Sequence, residues 1–232
     1  MGGGAVVVID LAEASDVARV GGKAAGLARL LELGLPVPPA LVVPVGEELE
    51  DADAVATLLG EPLAVRSSAI GEDASDRSAA GQYDTVLGVS ARDLPRAVAR
   101  VRSSAAGARA RAYGGERELA VVIQRQVPAT RAGVAFTRDP VTKEAIVYLE
   151  AAFGRGEAVV SGEVTPDRYW IRDGAVRARA SGLLRVLRDD EAQAVAAGAR
   201  DAERGFGTPV DIEFCFERRR LWLVQCRPIT TL

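Results

Sequence analysis

Four polar side chains interrupt two otherwise apolar runs in VDIEFCFERRRLWLVQCRPIT, residues 210–230. Asp211 and Glu213 stand in the first run, Gln225 and Arg227 in the second. If Arg218, Arg219 and Arg220 form a short loop, Glu217 faces Leu221, Glu213 faces Gln225 and Asp211 faces Arg227, all on one face of a hairpin. The other face is then Val210, Ile212, Phe214, Phe216, Trp222, Val224 and Cys226, an apolar surface suited to a core. A slip of one residue would bury the charges and expose the aromatics, so the register should be firmly held. The polar row is either a solvated sheet face with a cross-strand ion pair, or a place where carboxylate and amide oxygens hold Mg²⁺ while Arg227 meets phosphate.

Other stretches carry similar chemistry. Gly21-Gly22-Lys23 opens a helix, where backbone N–H groups, the helix dipole and an ammonium favour an anion, although the P-loop spacing is missing. Arg66 ends the strand LAVR and leads through Ser67 and Ser68 into a long loop of small residues, either a phosphate clamp under a flap or an ordinary surface loop. VVIQRQVPA is a strand edge turning at a proline, able to present backbone groups to a purine or to serve only as an edge strand. EAAFGRGEAVVSGEVTPD sets Glu150, Glu157, Ser161 and Glu163 among glycines, as substrate or lid contacts or as turn chemistry.

The elements that must position these groups alternate between strands and helices. Residues 5–9 (AVVVI) read as a strand, followed by a helix carrying Leu27, Leu30 and Leu31 that stops at Gly34. Residues 46–62 are acidic and alanine-rich, a short helix and connector. A strand, the long loop and a second strand occupy PLAVRSSAIGEDASDRSAAGQYDTVLGV, and ARDLPRAVARVRSSAAGARARAY is a helix. Three strands follow, then a pair around a turn at Asp173-Gly174. A helix from about Asp189 to Arg204 has Asp190 and Gln193 as a capping box and Gly205 and Gly207 as its stop. The pattern is α+β, with antiparallel sheets and flanking helices.

Composition excludes several classes. The chain of 232 residues has no histidine, which rules out histidine catalysis, histidine metal ligands and phosphohistidine on this chain. Cys215 and Cys226 fall on opposite faces of the hairpin, and without histidines they cannot complete a structural zinc site. A net charge of −3 gives no general argument for nucleic acid. The apolar runs are too short to span a bilayer and no signal peptide is visible, so a cytoplasmic location is expected. Lys23 and Lys143 are the only lysines among 29 basic residues, so a lysine at position 23 stands out.

Five blocks in order, GGKAAGL…GLPVPPALVV, AVRSSAIGEDASDRSAAGQYDT, VVIQRQVPA…AGVAFTRDPVT, EAAFGRGEAVVSGEVTPDRY and DIEFCF…LVQCRPIT, resemble the ATP-grasp nucleotide-binding domain of the pyruvate phosphate dikinase, phosphoenolpyruvate synthase and rifampicin phosphotransferase family. The resemblance implies an α+β ATP-grasp fold with the nucleotide between two lobes, 1–115 and 116–232, the first with the phosphate loop, the second with the adenine strand and metal-binding hairpin. It implies ATP and Mg²⁺ as cofactors. Lys23 and Arg66 would contact the triphosphate, and the loop from Ser67 through Gly81 to Thr85 would fold over it. Gln124, Arg125, Gln126 and Val127 would hold adenine through their backbone. Glu213 and Gln225 would bind Mg²⁺, Arg227 would sit on the terminal phosphates, and Asp211 would orient Arg227.

The larger relatives pass phosphate to a histidine on a swivelling domain. Here the sequence stops at RPITTL without histidine, and the connections before PLAVRSS and before ELAVV look short, which reads as a trimmed, free-standing module. The expected function is therefore Mg–ATP-dependent phosphotransfer to a histidine on a separate carrier protein. The alternatives are a stand-alone kinase acting on a small-molecule acceptor, and a nucleotide-binding module without turnover. Neither nucleic acid nor membrane is an expected partner.

Overall fold

The computed structural model of the chain describes residues 8–70, 85–113, 119–154 and 164–229, with backbone alone over 104–113. By internal contacts the chain divides into two units, Met1–Ala28 with Pro38–Gln126, and Arg29–Val37 with Val127–Leu232. Among the described residues no helix is long and apolar enough to cross a membrane.

The first unit is built on a five-stranded antiparallel sheet. Its strands are β1 (Ile9–Asp10), β2 (Ala40–Val43), β3 (Leu63–Ser68), β4 (Thr85–Val89) and β5 (Ala120–Arg125), in the order β1-β2-β5-β3-β4. Helices α1 (Val17–Glu32), α2 (Ala52–Leu59) and α3 (Leu94–Tyr113) accompany it. Leu63, Val65, Val121 and Ile123 from the central strands pack with Val55 and Leu59 of α2 and Leu94, Val98 and Val101 of α3. Each of these large side chains contributes roughly 1.5–3 kcal/mol by leaving water, which fixes strand register. The expected strand over residues 5–9 begins in the described part only at Ile9, since residues 1–7 lie outside it. Helix α1 starts earlier than its glycines suggested. Asp16 accepts the Ala18 N–H at 3.0 Å to open a first turn, and the helix is then broken at Gly21, whose φ is +74°.

The second unit holds a six-stranded antiparallel sheet. Strands β6 (Arg131–Phe136), β7 (Val147–Phe153), β8 (Asp167–Arg172), β9 (Ala175–Arg179), β10 (Val210–Glu217) and β11 (Arg220–Pro228) lie in the order β11-β10-β6-β7-β8-β9. Helix α4 (Asp189–Phe206) packs on the sheet through Ala192, Val195, Ala196, Ala199 and Ala202, all buried. Small side chains on that stripe let helix and sheet approach closely. The cap of α4 differs from the expected Asp190–Gln193 box. The helix begins at Asp189 as expected, but its N-cap is Arg188, two residues before Asp190; Glu191 accepts the Arg188 N–H at 3.1 Å, and Gln193 instead donates to Gly174 O at 2.7 Å. Glu191 also meets Arg131 of β6 at 2.5 Å with both side chains largely buried, so its carboxylate is claimed by the strand as well as the cap. At the other end only Gly207 is the left-handed cap, while Gly205 stays helical because a Cβ there would run into Leu33.

Asp167 ties this unit together. It is buried, and it accepts from the Ser181 N–H (2.7 Å) and hydroxyl (3.0 Å), the Val186 N–H (2.8 Å) and the Tyr169 hydroxyl (3.1 Å). Burial alone would push its pKa up, but these donors outweigh it and hold the carboxyl below its ordinary 3.8. Asp167→Asn is expected to cost about 1.5–3 kcal/mol at neutral pH. A depressed folded pKa stabilises fully above the unfolded value and is lost as pH falls through the folded one, so the gap between parent and variant should narrow below about pH 4. Urea titrations at pH 7 and pH 3 check both the size and the sign.

Candidate functional site

The closing hairpin keeps the expected pairing where its polar residues lie: Glu213 faces Gln225 and Asp211 faces Arg227. Its tip is different. Glu217 faces Arg220 rather than Leu221, leaving a two-residue turn, Arg218-Arg219, with Arg218 at φ +56°. A bulge between Glu213 and Phe214 absorbs the difference, since Phe214 faces Leu223 and Cys215 faces Trp222. The core face is corrected accordingly. Leu223 is fully buried beside Phe214, whereas Trp222 joins Cys215, Ala132 and Val127 in a separate small cluster, with Val224 packed against it. Cys215 and Cys226 are both free thiols, and alternation along the ladder sets them on opposite faces.

Following the ladder across the sheet gives two rows on the face that carries these polar groups. One runs Gln225, Glu213, Val134, Glu150, Arg168; the other Arg227, Asp211, Phe136, Tyr148, Trp170. Arg227 donates through Nε to both Asp211 oxygens, at 2.9 and 2.8 Å, which is the orienting contact expected of Asp211. Glu150 Oε1 accepts from the Tyr148 hydroxyl at 2.6 Å and Arg168 Nε at 3.1 Å. Burial first, and the Glu150 carboxylate second, push the Tyr148 phenol well above its ordinary range, so it stays a neutral donor. Gly133, opposite Ala151 on the reverse face, is where a side chain could not fit, because a Cβ would overlap the Glu150 carbonyl. That close approach holds the Glu150 backbone in place beside β6.

Glu213 and Gln225 are half-buried cross-strand neighbours offering hard oxygens. Among the described residues no group of three or more acidic or sulfur side chains could hold a metal by itself. Mg²⁺ ordinarily takes one or two protein oxygens and completes its octahedron with phosphate and water, so this donor pair fits that ion better than a closed structural metal.

In the first unit the glycine–lysine turn and the Arg66 strand are stitched together. Gly22 N–H donates to Ala69 O at 2.9 Å and Ala24 N–H to Ser68 Oγ at 3.0 Å. These two N–H groups are therefore committed to the fold, and Lys23 is half-buried beside them. Ser68 acts as a cap supplied from a distant strand, a role that adjacency to Arg66 hinted at but spacing could not show. Arg66 is half-buried on β3 opposite Thr85, which is exposed at the start of β4; Ser67 is buried. Gly81, Glu157, Ser161 and Glu163 lie outside the described residues.

The strand end expected to meet adenine is partly occupied by its own unit. Gln124 Nε2 donates to Pro38 O (3.3 Å), Arg125 N–H to Pro39 O (2.9 Å) and Gln126 N–H to Pro62 O (3.0 Å). Gln126 Oε1 accepts from Gly88 N–H at 2.5 Å. A purine edge would therefore have to be met by the carbonyls of Arg125 and Gln126 or by the Val127 N–H.

Two antiparallel sheets with their helices define an α+β protein of the ATP-grasp fold. The ADP complex of N5-carboxyaminoimidazole ribonucleotide synthetase matches with a TM-score of 0.55 at 13% identity, over 91% of this chain and 46% of that one. The chain belongs to the family described as pyruvate phosphate dikinase, AMP/ATP-binding domain, which matches residues 45–183 and 175–232. The two matched pieces both include residues 175–183, which hold β9. A protein named "probable phosphoenolpyruvate synthase" from Methanothermobacter thermautotrophicus is 32% identical over 305 aligned positions, covering 94% of this chain and 45% of the relative. A rifampicin phosphotransferase from Streptomyces is 38% identical over 73% of this chain and 23% of its own length. The chain thus spans less than half the length of these relatives. The 305 aligned positions exceed its 232 residues, so the relative carries insertions that this sequence lacks, in keeping with the shortened connections.

Proposed function

We propose that this chain binds Mg–ATP and transfers a phosphoryl group from it. The observation that carries the reading is the hairpin register, which places Glu213, Gln225 and the Asp211-oriented Arg227 on one sheet face. Family membership and relatives named as phosphoenolpyruvate synthase and rifampicin phosphotransferase support the same chemistry. Glu213 and Gln225 would hold Mg²⁺, which when bound offsets charge on the β- and γ-phosphates. Arg227, fixed through Nε, would present its guanidinium to the terminal phosphates; Lys23 and Arg66 would bind the triphosphate, with Ser67 and Thr85 in the two strands, β3 and β4, that lead into and out of the segment carrying Gly81, and that segment over it. The residues' work is positioning and charge neutralisation.

In the fuller form of this proposal the acceptor is a histidine on a carrier protein in the cytoplasm, since the 232 residues include no histidine. Phosphate NMR of the chain with Mg–ATP, with and without the phosphohistidine domain of a phosphoenolpyruvate synthase, tests it. AMP, phosphohistidine and inorganic phosphate, the second phosphoryl group passing to water, formed only in the presence of the carrier, are the expected products. ADP together with a phosphorylated small molecule would replace the carrier by a direct acceptor. Tight binding with no nucleotide consumed under any condition would overturn phosphotransfer and leave a binding module.

A further inference from the structure

On the same sheet face, at the β8–β9 end, lies a second cavity of about 410 Å³. Three steps of strand spacing separate β10 from β8, about 14 Å, so the cavity is distinct from the hairpin row. Its size falls in the range that takes small organic ligands. Ile146 and Trp170 give it an apolar wall, and four charged side chains line the rest: Asp139, Glu144, Arg172 and Arg177.

Three of those charges are already answered. Asp139 accepts from the Val141 and Thr142 N–H groups, both at 2.8 Å, and from Trp170 Nε1 at 3.2 Å. Glu144 is paired with Arg172. Arg177 is the exception: its guanidinium lies over the Trp170 ring at 5.5 Å, and among the described residues it makes no ion pair. Stacking holds the fork in place without using its N–H donors. Arg179, two residues along, sits directly across from Arg168, whose own charge is met by Glu150. The lining therefore selects a negative group beside an apolar body.

We propose that this cavity binds a flat organic anion, an aromatic carboxylate or phosphate ester, with its ring against Ile146 and Trp170 and its anionic group on Arg177. The proposal does not depend on the nucleotide reading. Calorimetric titration of 4-nitrobenzoate and of 4-nitrophenyl phosphate, each with Mg–ATP saturating, tests it, with 4-nitrobenzyl alcohol as a neutral probe and inorganic phosphate as a ringless one. Saturable binding of at least one aromatic anion is expected, with the alcohol and inorganic phosphate each about tenfold weaker, and which anion binds identifies the group. Arg177→Ala should weaken binding about five- to tenfold and Arg177→Lys less, a loss in keeping with a charge-assisted contact at an exposed site. In Trp222→Phe, where Trp170 is the one remaining tryptophan, the probe should quench the emission. Equal affinity in Arg177→Ala and parent, or no saturable binding of either anion, would overturn the assignment. Because Glu213 variants should leave these titrations unchanged, this proposal and the nucleotide reading fail separately.

Discussion

Glu213→Gln is expected to lower the Mg²⁺-dependent ATP affinity of this chain about a hundredfold while leaving its fold intact. The substitution keeps the side chain's shape and its place opposite Gln225, and removes only the negative charge. A neutral amide is a much poorer partner for Mg²⁺, and even residues that merely orient metal ligands cost about 10–100-fold when lost, so a direct ligand belongs at the upper end of that range. Titration of ATP with excess Mg²⁺ and again with EDTA isolates the metal-dependent part, and it is this part that should vanish. Stability should stay within about 0.5 kcal/mol of the parent, since Glu213 is half-buried on a polar face. Gln225→Glu provides the reverse comparison: a second carboxylate across the same register should retain or strengthen metal dependence. If Glu213→Gln binds Mg–ATP as tightly as the parent, the hairpin is a solvated sheet face and no more.

What could be read from the sequence was the half of the hairpin nearest its polar residues. Alternation alone placed Asp211 against Arg227 and Glu213 against Gln225, because only that pairing keeps charges off the buried face. The other half was misread because apolar residues populate both faces near the tip. Trp222, Leu223 and Val224 are interchangeable to a periodicity argument, and a bulge that shifts the ladder by one residue leaves no mark in side-chain type. The result matters for the site. Trp222 and Val224 belong to the cluster with Val127 and Cys215 rather than to the main core, so an indole lies a few residues from the proposed metal ligands. The first unit was legible in a different way. Its glycines, lysine and arginine were each read as candidate phosphate contacts, yet nothing in their spacing said that Ser68 caps the turn carrying Lys23, because that contact crosses 44 residues of chain. Local rules identify such groups; only tertiary packing decides which of their hydrogen bonds remain for a ligand. The same holds for the adenine strand, where two of the N–H groups that seemed available are taken by Pro39 and Pro62.

Gly21→Val should be the most damaging single change to stability in the first unit, at about 3–4 kcal/mol. Two independent costs add. At φ +74° a β-branched residue is strained by roughly 1–2 kcal/mol. A Cβ at this position would also overlap the backbone carbonyl and the hydroxyl of Ser68, which is fully buried and paired with Ala120 of β5. Overpacking of that kind typically costs a further 1–3 kcal/mol. Ser68→Ala separates the parts, since it removes the Ala24 N–H acceptor without touching the glycine and should cost about 1 kcal/mol. Urea titrations give both values, with an unchanged slope showing that the same surface unfolds. The functional consequence follows from the same contacts. Pushing the turn off Ser68 and Ala69 frees Lys23 from the end of the strand that bears Arg66, so Gly21→Val should bind ATP more weakly even at temperatures where it remains folded. A valine variant as stable as the parent would mean that the turn does not sit against β3, and that Lys23 and Arg66 are not held in a fixed relation.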